Sequence, residues 1–178
     1  EKVIFALSKI VGKKYDIINS DLDIPRRSPR FCVGCPYWFV FSAVKKAVPQ
    51  NTVFAGDIGC YMLAGYYPVN IQDFLFSMGS SIGIGHGIGK SINPASAKAT
   101  AGKQKVIAFI GDSTFFHSGI PALINAVYNK SNILIIVLDN FTTAMTGHQP
   151  SPGDEIKIEN IASACGVKNL KIIDPINI

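Results

Sequence analysis

Short apolar runs that end abruptly in polar pairs recur along this chain and predict the buried strands of a sheet. Three such runs have the length of strands: Thr52–Ala55, Val106–Ile110 and Ile133–Leu138. Each run is followed by a polar pair, namely Gly56-Asp57, Gly111-Asp112 and Asp139-Asn140. Because Gly, Asp and Asn favour turns, each pair marks the point where a strand ends.

A helix is predicted between the second and third runs, with Ser118 as its N-cap, Pro121 in its first turn and an apolar face over Ala122–Tyr128. A strand–helix–strand unit forms a right-handed crossover, which makes its two strands parallel. Leu170–Ile173 is predicted to add an edge strand. The predicted fold class is α/β, with a parallel sheet of about five or six strands, helices on both faces, and a ligand site at the carboxyl ends of the strands.

The segments around this unit complete the predicted domain organisation. Glu1–Lys13 carries a helical apolar stripe and Tyr15–Pro29 reads as a polar connector, so residues 1–29 are assigned to a connector and helix from a preceding domain. Residues 30–178 are assigned to one domain, a fragment of a longer polypeptide. Pro94–Lys103 is predicted to be a surface linker, and Ile156–Cys165 an amphipathic helix.

Glycine is concentrated at positions 79, 83, 85, 87 and 89 of a predicted helix. Each helical glycine costs about 1 kcal/mol relative to alanine, so a close backbone approach to another chain or to a cofactor must offset that cost. The spacing does not match GxGxxG, because position 88 is Ile, and a Rossmann site is not predicted.

The composition of the 178 residues is that of a globular domain, with 48% hydrophobic and 16% charged residues. The net charge of +5 is scattered apart from one cluster, Arg26, Arg27 and Arg30, so no nucleic-acid interface is predicted. No apolar run approaches the roughly 18 residues of a membrane span. Four cysteines in such a chain do not suggest a secreted disulfide framework, which favours a reducing cytoplasm.

The polar pairs after the second and third runs could hold a metal ion. Asp112 offers a carboxylate and Asn140 an amide oxygen, and oxygen ligands in an octahedral arrangement are what Mg²⁺ prefers. Taken singly, each pair is better explained as a turn. Two such pairs on adjacent parallel strands favour a magnesium site.

Three interpretations of Cys32-Val-Gly-Cys35 remain open: a redox dithiol, half of a zinc site or part of an iron–sulfur site. A zinc ribbon would need a second CxxC or paired His, and a thioredoxin-like motif would follow a strand. The iron–sulfur interpretation gains from Cys60, which lies in the polar loop after the first apolar run. Cys165 is a fourth candidate, although a lone cysteine there is more often a small core residue.

One spacing pattern resembles the thiamine diphosphate signature: Gly111-Asp112-Ser113, then a gap of 25 residues, then Asp139-Asn140. The string GDSTFFHSGI…NAVYNKSN…LDNFTTAMTGHQPSPG is similar to the 2-oxoacid:ferredoxin oxidoreductases, and within them to the large subunit of the indolepyruvate branch. The resemblance covers Ser28 to Pro175. Ser113 stands where the general signature has its second Gly, and the indolepyruvate branch also has Ser there. Tyr37 stands where that branch usually has His.

The resemblance implies a cofactor site for thiamine diphosphate, Mg²⁺ and a 4Fe–4S cluster. The implied Mg²⁺ ligands are Asp112, Asn140 and Thr142, and the implied cluster ligands are Cys32, Cys35 and Cys60. The implied cofactor-binding residues are Asp57, Ile58, Gly59, Cys60, Met78, Gly79, Ser80, Gly111, Asp112, Ser113, Thr114, Asn140, Thr142, Thr143, Ala144 and Met145.

The implied activity is oxidative decarboxylation of aryl 2-oxoacids such as indolepyruvate to acyl-CoA and CO2, with reduction of ferredoxin. The implied partners are a pyrimidine-binding domain, a small subunit, ferredoxin and coenzyme A, in an oligomer without nucleic acid or membrane. The resemblance also implies an activating Glu in another domain, because the chain's three Glu (Glu1, Glu155 and Glu159) do not follow a predicted strand. No catalytic residue is therefore expected in this chain.

Two alternatives stay open at the level of sequence. One is a thiamine diphosphate-dependent decarboxylase or synthase without redox chemistry, against which the three cysteines argue. The other is a non-catalytic assembly subunit with the same fold, against which the intact Asp112 and Asn140 pair argues.

Overall fold

The computed structural model describes residues 2–16, 25–92 and 104–176. Within them, three parallel strands form one sheet in the order β1-β2-β3: β1 (Val53–Ala55), β2 (Val106–Gly111) and β3 (Leu134–Leu138). The three predicted apolar runs are confirmed as strands, with ends shifted by one residue at most. The side chains of the central strand β2 are all buried between the helical layers, whereas those of β1 and β3 are mostly half-buried and Leu134 of β3 is exposed.

Helices cover both faces of this sheet, as the sequence predicts. Their bounds are α1 (Lys2–Ile10), α2 (Tyr37–Ala47), α3 (Ser80–Ile92), α4 (Asp112–Thr114), α5 (Ile120–Tyr128) and α6 (Ile158–Ala164). A π-helical turn, Phe115–Gly119, joins α4 to α5, and 3-10 turns lie at Cys60–Gly65, Ala144–Thr146 and Pro152–Asp154.

The side chains of β2 alternate between two hydrophobic clusters, one on each face of the sheet. Ile107 and Phe109 face the first cluster, where Phe41 of α2 meets Phe109 at a ring-centroid distance of 5.0 Å. Ala108 and Ile110 face the second cluster, which contains residues of α3, α5 and α6. All six residues of β2 are buried, so this strand is the centre of the core.

The register of the sheet decides which loops meet at its carboxyl end. Ala55 pairs with Ala108 and Gly111 pairs with Leu138. The residues that follow the second pair, Asp112 and Asp139, therefore leave the sheet side by side.

The glycines of α3 divide between its two sides. A Cβ on Gly85 would meet Ala55, Ala108 and Val106 at 3.4–3.6 Å, and one on Gly89 would meet Ile133 at 3.0 Å. Those two glycines let the helix lie close to the sheet. Gly83 and Gly87 face open space instead, since a Cβ on either would meet nothing within 4 Å.

The helix after β2 begins earlier than predicted. Ser118 is not an N-cap, because helical structure runs from Asp112 through the π-helical turn into α5. Ser118 instead donates its hydroxyl hydrogen to the carbonyl oxygen of Thr114 at 3.4 Å. The wide π turn lets the helix continue past Pro121, whose ring and missing N–H would disrupt a regular α-helical turn.

Two further expectations differ from the structure or fall outside it. Leu170–Ile173 is not a strand, and the described residues contain three strands rather than five or six. Among the described residues β3 has a free outer edge, but this segment does not pair with it, and Ile172 and Ile173 are 75% and 64% exposed. The predicted linker Pro94–Lys103 lies outside the described residues. None of the described helices is long and apolar enough to cross a membrane.

Candidate functional site

A cleft opens at the carboxyl end of the sheet, where the loops after β1, β2 and β3 meet the start of α2. Its lining residues are Tyr37, Ile58, Gly59, Cys60, Tyr61, Met78, Gly111, Asp112, Ser113, Thr114, Asn140, Thr142, Thr143, Ala144, Met145 and Thr146. The strand ends therefore bring together residues far apart in sequence, as open parallel sheets do.

Asp112, Asn140 and Thr142 form the most polar corner of this cleft. The backbone N–H of Thr142 donates to Asp112 Oδ2 at 3.1 Å and to the side-chain oxygen of Asn140 at 3.3 Å. That oxygen also lies 2.6 Å from the Thr142 carbonyl oxygen and 3.3 Å from Asp112 Oδ1. Three oxygen atoms from the ends of two adjacent strands thus face one another.

This corner fits a divalent cation. Oxygen atoms this close repel one another unless a positive charge lies among them, and neighbouring ligands of an octahedral Mg²⁺ are about 3 Å apart. Rotation of the Asn140 amide by 180° would instead let its nitrogen donate to Asp112 and Thr142. The side chain therefore has one orientation suited to a cation and another suited to the corner without one.

The electrostatics of the corner also favour a cation. Burial raises the pKa of the Asp112 carboxyl, and the negative charge of Asp139 adds to the shift, whereas the backbone N–H groups of Ser113 and Thr142 oppose it. The sheet register explains the pairing of the two carboxylates, because both directly follow paired strand residues. A positive ion would offset the repulsion between them.

Hydroxyl groups and a closed loop form the wall next to this corner. Thr143 Oγ1 donates to Ser113 Oγ at 2.9 Å, which links the loop after β3 to the start of α4. The carbonyl oxygen of Gln149 accepts from the Thr143 N–H at 2.9 Å, and the Gln149 side chain donates to the Thr146 carbonyl at 2.8 Å. These bonds close residues 143–149 on themselves and hold Ala144 and Met145 at the cleft.

Asp57 is fully buried and organises the backbone behind the cleft. Its carboxylate accepts the backbone N–H groups of Ile58 at 2.8 Å, Gly79 at 2.6 Å and Ser81 at 3.0 Å. It thereby joins the end of β1 to the first turn of α3, where N–H groups have no partner within the helix. Gly79 has a φ of 83°, and a Cβ there would lie 1.9 Å from Ser118 Oγ, so only glycine fits.

We expect Asp57→Ala to lower the free energy of unfolding by about 3 kcal/mol or more, because three backbone N–H groups lose a charged acceptor. The matched control is Asp73→Ala. Among the described residues, Asp73 accepts the Phe54 N–H alone, at 2.7 Å and from an exposed position, so its substitution should cost about 1 kcal/mol. Urea denaturation of both variants measures the difference. Equal losses would contradict the framework role of Asp57.

The four cysteines lie on two sides of the sheet. Cys35 and Cys60 pack against the cluster on the α2 face, and Cys165 packs against the opposite cluster. Burial raises the pKa of the Cys60 thiol, and the neighbouring thiols of Cys32 and Cys35 add to the shift. Cys165 is thus a core residue away from the other three. Within residues 2–16, 25–92 and 104–176, no three His, Cys, Asp or Glu are grouped to hold a single metal ion.

The structure brings most of the predicted site residues together. Of the sixteen predicted cofactor-binding residues, thirteen line the cleft, and Asp57, Gly79 and Ser80 lie behind it. Asp57 and Gly79 hold the backbone there, and Ser80 Oγ donates to the Ser77 carbonyl at 2.7 Å. Cys60 lines the cleft, whereas Cys32 and Cys35 do not.

Sequence reasoning did not place Tyr37, Tyr61 and Thr146 at the cleft. The Tyr37 ring is buried, and its hydroxyl oxygen lies 3.2 Å from the Asn140 side-chain nitrogen. Tyr61 donates its hydroxyl hydrogen to the Ile58 carbonyl at 2.8 Å, beneath the loop after β1. The position of Tyr37 directly after the CxxC-Pro turn was the one available signal.

Comparison with protein families gives a match over residues 57–176 to the thiamine pyrophosphate enzyme, C-terminal TPP binding domain. The matched region includes the loops after all three strands and every predicted thiamine diphosphate-binding residue. It therefore covers the cleft apart from Tyr37.

Two curated relatives and one solved structure extend this comparison. The chain is 40% identical to indolepyruvate oxidoreductase subunit IorA of Thermococcus kodakarensis, over 99% of this chain and 31% of the relative. It is 45% identical to the subunit of the same name from Methanothermobacter thermautotrophicus, over 88% of this chain and 26% of the relative. The chain thus spans less than a third of the length of these relatives.

The solved structure is the 2-oxoglutarate:ferredoxin oxidoreductase of Magnetococcus marinus. It matches with a TM-score of 0.54 and 19% identity, over 74% of this chain and 43% of that chain. At this identity the likeness concerns the fold, and it agrees with the observed parallel α/β architecture.

Proposed function

Because this chain belongs to the thiamine pyrophosphate enzymes, whose C-terminal TPP binding domain it matches, we propose that its cleft binds thiamine diphosphate through Mg²⁺. The observation that carries the proposal is the oxygen-lined corner of Asp112, Asn140 and Thr142. An ion held there would bridge the chain to a diphosphate, as Mg²⁺ does where protein ligands are few. The matched family is the second support.

The cleft residues have distinct proposed roles in binding. Asp112 and Asn140 would ligate Mg²⁺ through their side chains, and Thr142 through its carbonyl oxygen. The hydroxyl groups of Ser113 and Thr143 lie 2.9 Å apart on the wall next to this corner and would donate to phosphate oxygens. Met78, Ala144 and Met145 give the cleft an apolar side that suits the two rings of the cofactor.

We propose that the complete protein oxidatively decarboxylates an aryl 2-oxoacid such as indolepyruvate to an acyl-CoA and CO2, with reduction of ferredoxin. The names of the two curated relatives support this reaction. When bound, the cofactor would supply a nucleophilic carbon for the 2-oxo group and an acceptor for the electrons left by the departure of CO2. This chain's residues orient it and exclude water from its apolar side.

Cys32, Cys35 and Cys60 are proposed as ligands of a 4Fe–4S cluster that receives those electrons. Each thiolate of such a cluster binds a different iron atom, so the sulfurs need not meet at one ion. The proximity of Cys60 to Cys32 and Cys35 on the α2 face supports the proposal, and Cys60 also lines the cleft. Cys165 packs against the cluster on the opposite face of the sheet, so we do not propose it as the fourth ligand.

Reconstitution with iron and sulfide under anaerobic conditions should give a brown protein, and Cys60→Ser should lose most of its iron, because a cluster with a missing thiolate is released readily. Cys165→Ser is the matched control and should keep its iron. Iron analysis and the visible absorption spectrum give the measurement. Retention of iron by Cys60→Ser would remove that residue from the ligand set, and no iron in the parent protein would favour a decarboxylase without redox chemistry.

The proposed partners follow from the same reaction. They are a pyrimidine-binding domain that carries the activating Glu, a small subunit, ferredoxin and coenzyme A, in an oligomer located in the cytoplasm. Gly83 and Gly87 support an interface on α3, because they leave the helix backbone open on the side away from the sheet.

Calorimetric titration of the intact protein with thiamine diphosphate tests the central proposal. Binding is expected in the presence of Mg²⁺ and is expected to disappear in excess EDTA. Absence of binding with Mg²⁺ would overturn the proposal and favour a non-catalytic assembly subunit.

A further inference from the structure

Tyr37 is fixed in the core and reaches the cleft through its hydroxyl group. Its side chain is 8% exposed, and its ring meets Phe31 and Phe41 edge-on, with centroid distances of 6.1 and 6.4 Å. These contacts leave the ring no alternative position without repacking the cluster on the α2 face. The hydroxyl oxygen is therefore held at one point of the cleft.

That point is next to the amide of Asn140. With the amide oxygen facing Asp112 Oδ1 and the Thr142 carbonyl, the side-chain nitrogen of Asn140 lies 3.2 Å from Tyr37 Oη; with the amide rotated by 180°, Tyr37 would instead donate its hydroxyl hydrogen to the amide oxygen. In the first orientation the hydroxyl can accept an N–H from the amide, because a hydroxyl oxygen is both donor and acceptor. Every polar atom of the Asn140 side chain then has a partner once a cation occupies the corner.

We propose that Tyr37 is a positioning residue of the metal site: its hydroxyl accepts the Asn140 amide N–H and so presents the amide oxygen to the cation between Asp112 and Thr142. The inference rests on the proposed Mg²⁺ site and adds to it a residue outside the strand-end loops. A partner of this kind orients a metal ligand without touching the ion.

Removal of the hydroxyl should weaken the site while the ring packing remains. In Tyr37→Phe the amide N–H has no acceptor on that side, and the oxygen is no longer held toward the ion. We expect the dissociation constant for Mg²⁺, measured by calorimetry at saturating thiamine diphosphate, to rise about tenfold. Tyr66→Phe is the matched control, because it deletes the hydroxyl of a tyrosine that does not line the cleft, and it should stay within about twofold.

A double-mutant cycle separates orientation from a general structural effect. In Asn140→Asp, the carboxylate offers an oxygen to the ion in either orientation, so the added change Tyr37→Phe should shift the Mg²⁺ dissociation constant by less than about twofold. The same roughly tenfold loss in both backgrounds would show that the hydroxyl acts on the cleft as a whole and would overturn the inference.

Two further results would count against the inference in different ways. Equal Mg²⁺ affinity of the parent protein and Tyr37→Phe would overturn it and leave the proposed function standing. Failure of the parent protein to bind Mg²⁺ with thiamine diphosphate would overturn the proposed function, and this inference with it.

Discussion

Asp112→Ala is expected to abolish Mg²⁺-dependent binding of thiamine diphosphate, with a loss of affinity of more than about 100-fold. The substitution removes the one carboxylate among the three oxygen groups that face one another at the ends of β2 and β3. Mg²⁺ binds carboxylates far better than neutral oxygens alone, and such sites contain only one or two of them. Calorimetric titration with the cofactor, with and without Mg²⁺, gives the measurement.

The fold of Asp112→Ala should remain intact. Burial raises the pKa of the Asp112 carboxyl, so the folded state disfavours its charged form. A carboxyl whose pKa is higher in the folded than in the unfolded state opposes folding at neutral pH, and its removal should leave stability equal or slightly higher. Thermal unfolding followed by circular dichroism checks this expectation.

Asp139→Ala is the matched control for the charge of the corner. Asp139 leaves the sheet beside Asp112 and adds negative charge, but its carboxylate is exposed and accepts the Phe141 N–H at 3.0 Å. We expect its loss to weaken Mg²⁺ binding less than about tenfold, because it acts through space. Equal losses in the two variants would indicate a general electrostatic field rather than coordination by Asp112.

The strands and their ends could be predicted from sequence because two local signals coincide there. Buried parallel strands read as continuous apolar runs, and the turn residues after them are Gly, Asp and Asn. Val106–Gly111 shows both, since all six residues are buried and Asp112 follows at once. Once the crossover makes the strands parallel, the polar pairs must meet at one edge, and the cleft follows from that.

Features that depend on packing between distant segments could not be predicted in this way. The π-helical turn after β2 keeps the helix continuous, although Ser118 and Pro121 look like a helix start. A strand at Leu170–Ile173 would require backbone pairing with an edge of the sheet, which a local pattern does not reveal. Tyr37 reaches Asn140 only because α2 packs on the sheet face that carries Phe109.

Asp57 also shows that a local sequence pattern does not predict what a side chain contacts. Its position after a strand matches that of Asp112, and the family resemblance implies that both bind the cofactor. The structure separates them, because Asp57 is turned toward the first turn of α3 and its carboxylate accepts three backbone N–H groups. Two residues with one sequence pattern thus differ in what their side chains contact.

In the part of the chain that the structure describes, the cleft has no second carboxylate that could activate the cofactor. In the family that the chain resembles, a Glu hydrogen-bonded to the aminopyrimidine ring activates the cofactor. Among the residues that line the cleft, the acidic side chain is Asp112, which faces the proposed metal ion. Glu155 and Glu159 lie elsewhere, in the segment before α6 and in its first turn. We infer that the cleft is half of a site completed by another domain or chain.

The 178-residue chain alone is therefore expected to show no turnover of indolepyruvate with coenzyme A and a viologen dye. Addition of the remaining polypeptides, including the proposed pyrimidine-binding domain, should restore dye reduction, because that domain would supply the missing proton acceptor. The remaining polypeptides without this chain are the control and should be inactive, since they would lack the proposed Mg²⁺ site. Dye reduction by the 178-residue chain on its own would mean that it contains a complete site and that the activating group has to be sought among its own residues.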